Sequence, residues 1–249
     1  MIKINEHPFG SISPYGTFAF LASILGIILF AKLLKKDRNS FKLLPKFLSY
    51  VSAGVFLNGI LLGYIVEILK NIYNDNSNVF ITKNISFVAY GGIIGALTAA
   101  YFASYHFNAD RYIVMDSISC TIPIVHGIAR NSCLFSGCCY GIEYYGFLSV
   151  YYQTYDMYCF PVQIIEGSLD IILGIYLIYL YNKNNNCGSI MYIYLLIYSI
   201  YRFVLEFFRG DEVRGIFFGL SSSQYISIAV FVYAVVKIYF YNRRMRLYE

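Results

Sequence analysis

Charge is scarce in this chain and tryptophan is missing from it. Charged residues fill 13% of the 249 positions, against about 25% in an ordinary soluble domain. That shortage, with 58% hydrophobic residues and a mean hydropathy of +0.57, excludes a soluble make-up and identifies an integral membrane protein. Without Trp, the interfacial anchors are the 27 tyrosines, whose rings are apolar and whose tips are wet. Met1 to Tyr15 carries no basic leader region, and no small-residue cleavage site follows, so the first apolar run is expected to stay in place. The cysteine spacing C-x4-C-C lacks the C-x2-C knuckle of a structural zinc site and no histidine cluster accompanies it, so neither metal nor cofactor is expected. The net charge of +5 sits in loops, where it reports topology and gives no sign of a nucleic-acid partner.

Seven apolar runs are long enough to cross a hydrocarbon core, which takes about 20 helical residues. They lie near Phe18–Leu34, Phe47–Leu69, Ile85–Phe107, Tyr112–Ile128, Phe160–Tyr181, Ser189–Phe208 and Leu220–Phe240, and the fourth is the weakest. Basic residues in short loops mark the cytoplasmic side. Lys35, Lys36, Arg38, Lys42 and Lys46 fill the first loop, Arg111 and Lys183 fall in loops on that side, and Arg243, Arg244 and Arg246 end the chain. The N-terminus is therefore expected outside and the C-terminus inside. No repeat or linker divides the chain, so residues 1–249 form one membrane domain. The connection over 131–159 is long and rich in aromatics, which predicts an extracytoplasmic cap.

Ionisable groups inside spans mark sites by default, because lipid penalises them heavily. Gln163, Glu166 and Asp170 fall on one face of the fifth span; Tyr198, Arg202, Glu206 and Arg209 form a second stripe on the sixth. Two such stripes must face each other or a polar cavity, which Asp116 and Glu67 are candidates to join. The stretch His126–Gly141, H-G-I-A-R-N-S-C-L-F-S-G-C-C-Y-G, adds Arg130 from the fourth span. Arg202 with Glu206 at i, i+4 is also what a purely structural ion pair looks like. Two arginines from different spans exceed that need, and guanidinium suits bidentate capture of phosphate oxygens. A phospholipid head group is the nearest phosphate.

These residues resemble the prolipoprotein diacylglyceryl transferase family over most of the chain. Tyr15-Gly16 is similar to its Tyr-Gly pair before the first span, and Gly91-Gly92-Ile93-Ile94-Gly95 to its Gly-Gly helix start. Asp116, Pro123, Gly127, Arg130 and Gly141 fit its central signature without a gap, Pro161-x-Gln163-x-x-Glu166 its Pro-x-Gln block, and Arg202-Phe203-x-x-Glu206-Phe207-x-Arg209 its Arg-Phe block. The resemblance implies a multi-pass enzyme of the bacterial cytoplasmic membrane. It moves diacylglyceryl from phosphatidylglycerol to a cysteine of a secreted lipoprotein precursor, in lipoprotein biosynthesis. It further implies Arg130 and Arg202 on the phosphate, Tyr198 and Tyr15 as helpers, and Glu206 orienting an arginine. Gly91, Gly92, Gly141, Gln163, Glu166 and Arg209 would surround the substrate.

Departures from the family pattern are specific. Its His before Gly-Gly, a candidate base, is Tyr90 here, and its His before Pro-x-Gln is Phe160. The Asn, Asn and Glu of its signature align with Cys133, Ser136 and Cys138, and Cys139 follows. Tyr90 needs a neighbouring cation to act as base, its ordinary pKa being about 10; His126, one turn before Arg130, is the other candidate. For Cys133, Cys138, Cys139 and Cys159, a loop disulfide is the plain expectation on the outer side. The sharper one makes Cys138 a nucleophile that carries the lipid. Cys120 and Cys187 read as small apolar residues. A non-catalytic lipid-binding or thiol-redox protein, or a transferase with another acceptor, is the alternative function.

Overall fold

The computed structural model describes residues 2–3, 14–73, 88–153, 155–183, 188–211 and 216–246. They form helices α1 (Pro14–Leu34), α2 (Arg38–Lys42), α3 (Leu44–Tyr73), α4 (Ala89–His106), α5 (Arg111–Phe135), α6 (Val162–Lys183), α7 (Ile190–Leu205) and α8 (Ser222–Arg246). A 3-10 turn, Glu206–Phe208, extends α7. Short strands complete the chain: β1 (Ile2–Lys3), β2 (Val150–Tyr152), β3 (Met157–Cys159), β4 (Ile216–Phe217) and β5 (Leu220–Ser221).

Among the described residues, 6 helical runs are long and apolar enough to cross a membrane: those of α1, α3, α5, α6, α8 and α7 with its 3-10 turn. The described residues are thus mostly helical, consistent with an all-α integral membrane protein. The third expected span is α4, which is not among the six. It is rich in Gly and Ala, and what it gives up in hydropathy it returns in close packing, as small residues do between membrane helices. Of the six, α5 is the least apolar and the most buried.

Helices α3 and α4 touch backbone to backbone. A Cβ on Gly95 would fall on the Gly54 carbonyl oxygen, and one on Gly91 would sit 2.5 Å from the Asn58 oxygen. Gly95→Ala is therefore expected to force these helices apart and to lower stability by about 1–3 kcal/mol. A thermal-unfolding midpoint in detergent equal to that of the unchanged protein would contradict this packing.

Helix α5 continues through the first five residues of the expected cap to Phe135, and Ser136 N donates to Ser132 O at 3.0 Å to close its last turn. The rest of the expected cap segment begins at Ser136. Its centre is a three-stranded sheet, in which β2 pairs antiparallel with β3 and parallel with β1. Ile142 N donates to Phe208 O and Gly210 N to Tyr140 O, both at 2.9 Å, so the cap is laced to the end of α7. At the opposite end Lys36 reaches the Tyr181 carbonyl and lies 4.0 Å over its ring, and Lys46 lies 4.8 Å over Phe107.

Two expected cavity residues are elsewhere. Asp116 accepts from Gly188 N at 2.5 Å and Met191 N at 3.4 Å, so it ties α5 to the start of α7. A buried carboxylate serves there because the first N–H groups of a helix lack intrahelical acceptors. Glu67 pairs with Lys70 at 3.3 Å on α3, both partly exposed, and stays out of the interior.

Candidate active site

Helices α5, α6 and α7 bring the two predicted stripes face to face. Glu166, fully buried on α6, pairs with Arg130 of α5 and stands 3.6 Å from Arg202 Nε of α7. Arg202 Nη2 is 2.8 Å from Glu206 Oε2, and Arg209 Nη1 is 3.7 Å from that same oxygen. Arg209 then closes a bidentate pair on Asp211, with Nε–Oδ1 at 2.8 Å and Nη2–Oδ2 at 2.6 Å. The i, i+4 spacing of Arg202 and Glu206 makes one link; only tertiary packing makes the links through Glu166. Glycines permit the approach, since a Cβ on Gly127 would lie 2.6 Å from the Gly167 oxygen.

The carboxylates hold the guanidinium groups on one side and leave donors on the other. Arg130 Nε, Arg202 Nη1 and the Tyr198 hydroxyl are buried with no hydrogen-bond partner among the described residues. Buried donors are nearly always satisfied in folded proteins. Three such donors on the neighbouring helices α5 and α7 suit an anion with several oxygens. Ser223 Oγ accepts from Arg202 Nη2 at 3.4 Å, the contribution of α8.

His126 stands beside this centre, its Nδ1 2.7 Å from Asp170 Oδ2 and its ring 6.0 Å from that of Tyr198. Tyr201 donates to the other Asp170 oxygen. Tyr90 is buried, its hydroxyl 2.6 Å from Ser227 Oγ and its ring edge against Tyr198. An apolar cavity of about 630 Å³ lies among α1, α3, α4 and α5, with Gly26, Phe30, Val51, Ile93 and His126 in its wall. His126 thus borders both the cavity and the ion-pair network.

The other predicted residues fall around this centre. Gln163 donates through Nε2 to Cys138 O and Tyr152 Oη, both at 2.8 Å, and so binds the cap to α6. Gly141 packs so closely that a Cβ would fall on the Phe160 carbonyl. Phe160 stacks on Phe208 at 4.9 Å, a packing role. Gly91 packs on α3 and Gly92 lines the cavity. The side chain of Tyr15 lies outside the described residues, as does Cys187.

Among the described residues the cysteines are not bridged: Cys120, Cys133, Cys138, Cys139 and Cys159 are free, so the expected loop disulfide is not formed. Cys159 is buried on β3 with Leu134, Val150 and Tyr152, and burial pushes its thiol up to about 11. The sulfurs of Cys133, Cys138 and Cys139 cluster instead, 4.0 Å from Arg130 Nη1 at the nearest. Hydrogen bonding from Cys133 and Cys138 holds the Cys139 thiol well below the ordinary range, and Arg209 and Arg130 add to the effect. Sequence reasoning missed Asp211 and Tyr201. Asp211 follows Arg209 by two residues, but it stands in a mixed-charge loop where nothing marks it as buried.

Buried guanidinium groups inside a helical bundle define a multi-pass membrane protein with an ionic centre in its interior. A sequence model described as prolipoprotein diacylglyceryl transferase matches residues 4–240. The phosphatidylglycerol–prolipoprotein diacylglyceryl transferase 2 of Clostridium perfringens (strain 13 / Type A) is 32% identical over 227 residues, covering 89% of this chain and 88% of its own. The similarly named protein of Clostridium tetani is 29% identical, covering 89% and 90%, and that of Campylobacter jejuni (strain 81-176) is 27% identical, covering 89% and 86%. The chain belongs to the prolipoprotein diacylglyceryl transferase family.

Proposed function

We propose that this protein is a transferase that moves the diacylglyceryl group of phosphatidylglycerol to the cysteine thiol of a secreted lipoprotein precursor. The carrying observation is the set of buried donors on Arg130, Arg202 and Tyr198. His126, its ring 6.0 Å from that of Tyr198, links them to an apolar cavity of about 630 Å³, which suits the acyl chains. The family membership of the chain and the names of its relatives support the same reaction.

In that reaction the acceptor sulfur attacks the glycerol carbon that bears the phosphate, the carbon–oxygen bond breaks, and glycerol phosphate leaves. Charge develops on the leaving phosphate, and donors fixed in a water-poor site stabilise it without reorganising. Arg130 and Arg202 take the phosphate, with Tyr198 and Tyr15 as hydrogen-bonding helpers. Glu166 and Glu206 orient the two arginines, while Arg209 and Gln163 fix the cap over the site. Tyr90 faces Ser227, with no cation bonded to its hydroxyl, so it serves poorly as base. Gly91, Gly92 and Gly141 shape the surrounding walls.

The topology that goes with this reading has seven transmembrane helices, α4 included, in the bacterial cytoplasmic membrane. The N-terminus is outside, the C-terminus inside, and the cap extracytoplasmic. Lys36, Lys46 and Arg111 gather at one end and the cap at the other, which supports that orientation.

The test is a transfer assay with purified protein, phosphatidylglycerol micelles and a lipobox peptide, read by mass spectrometry. The expected result is a peptide that gains a diacylglyceryl mass, with glycerol phosphate released. Lipid found on Cys138 instead would make that residue a covalent carrier, and neither product would reject the transferase reading.

A further inference from the structure

The sulfur atoms of Cys133, Cys138 and Cys139 lie within 4.8 Å of one another and are joined by no disulfide. They come from the last turn of α5 and the loop that follows it. Cys138 N donates to Cys133 O at 3.1 Å, Gln163 Nε2 holds Cys138 O at 2.8 Å, and Cys139 adopts a left-handed φ of 57°. A non-glycine residue persists in that conformation where its surroundings over-determine it. The three thiols therefore face one another because the loop is built to make them do so. All three side chains are only partly buried, so an outside group can reach them.

Zinc binds thiolate sulfur at about 2.3 Å, which in a tetrahedron sets the sulfurs about 3.8 Å apart. The trio, within 4.8 Å, is wider than that spacing by about 1 Å at most. Zinc centres that do chemistry keep three protein ligands and an open fourth position. The spacing C-x4-C-C is wrong for a closed knuckle, and an open three-sulfur centre has no need of one. Arg130, 4.0 Å from Cys133 Sγ, offsets thiolate charge and ties the trio to the ion-pair network. The other cluster of donor atoms among the described residues, His126, Glu166 and Asp170, suits a cation poorly, because Glu166 already faces Arg130 and Arg202.

We propose that Cys133, Cys138 and Cys139 hold a zinc ion whose fourth position takes the thiol of the acceptor cysteine. The inference rests on the transfer reaction given above. A thiol coordinated to zinc is deprotonated outright, which supplies the thiolate that Tyr90 is badly placed to generate. The acceptor thiol gives its proton to solvent as it binds. Its sulfur lone pair then forms the bond to the glycerol carbon, and the electron pair of the breaking carbon–oxygen bond leaves on the phosphate oxygen. Glycerol phosphate departs from Arg130 and Arg202, and the thioether, a weaker ligand, leaves the metal. Nothing is oxidised or reduced.

The test uses the full chain in detergent, thiols reduced, stripped by chelator and reloaded with Zn²⁺ or Co²⁺. The expected result is one zinc per chain by elemental mass spectrometry and a sulfur-to-cobalt charge-transfer absorption with Co²⁺. The cobalt d–d bands should shift on adding a lipobox peptide and stay still with its serine analogue. Cys133→Ser and Cys139→Ser should each lose the zinc, while Cys159→Ser, whose thiol lies outside the trio, should keep it. No zinc in reduced, folded protein overturns the site, and lipid transfer by that metal-free protein would show that the reaction stands without it. Cobalt bands unmoved by the peptide overturn the activating role. Zinc bound and bands shifted, with no transfer in any form, would sink the transferase reading while the metal site stands.

Discussion

Arg130→Ala is expected to reduce diacylglyceryl transfer by about 10²–10³-fold or more, the loss seen when one preorganised donor is taken from developing negative charge. Arg130 pairs with Glu166 through Nη2 and keeps Nε buried and unbonded, so one edge of the fork is held while another faces the site. Arg202→Ala removes the opposing donor, Nη1, and should fall in the same range. Arg130→Lys keeps the charge but loses the planar fork, and should recover little of the rate. These variants should stay inserted and monodisperse in detergent, because Glu166 retains one arginine in each. Full transfer activity in either alanine variant would remove the phosphate clamp.

Glu166→Ala should act first on stability. It leaves Arg130 and Arg202 buried beside each other with no shared carboxylate, and breaking a buried pair by deleting one partner destabilises by about 3–5 kcal/mol. Glu166→Gln keeps an acceptor of the same shape and should fall between. A partly exposed pair gives the contrast: Glu67→Ala removes only the link to Lys70, worth about 0–1 kcal/mol. Thermal melts of the variants in one detergent check the order. A midpoint for Glu166→Ala equal to the starting protein would mean that the centre is too wet for burial to matter.

Much of this site was legible in the sequence because a membrane restricts where charge is tolerated. Gln163, Glu166 and Asp170 share a helical face by spacing alone, as do Tyr198, Arg202 and Glu206. No alternative to their facing one another inside the bundle was affordable in lipid. Asp116 obeyed the same rule and deceived, because a buried carboxylate capping the neighbouring helix and one lining a cavity look alike in one dimension. Helix α4 was visible as an apolar run, but its glycines mattered through contact with α3, which periodicity does not reveal.

Composition and charge periodicity thus determined by themselves that this is an all-helical membrane protein with arginines and carboxylates turned inward, since desolvation leaves no other place for them. Only the tertiary structure decided which carboxylate joins which arginine and that Asp170 reaches His126. It alone also brought Cys133, Cys138 and Cys139 together as free thiols beside Arg130. Those are matters of a few ångströms between groups on different elements. They are set by how closely small residues let the helices approach and how the cap folds back, which no spacing along a single strand of sequence encodes.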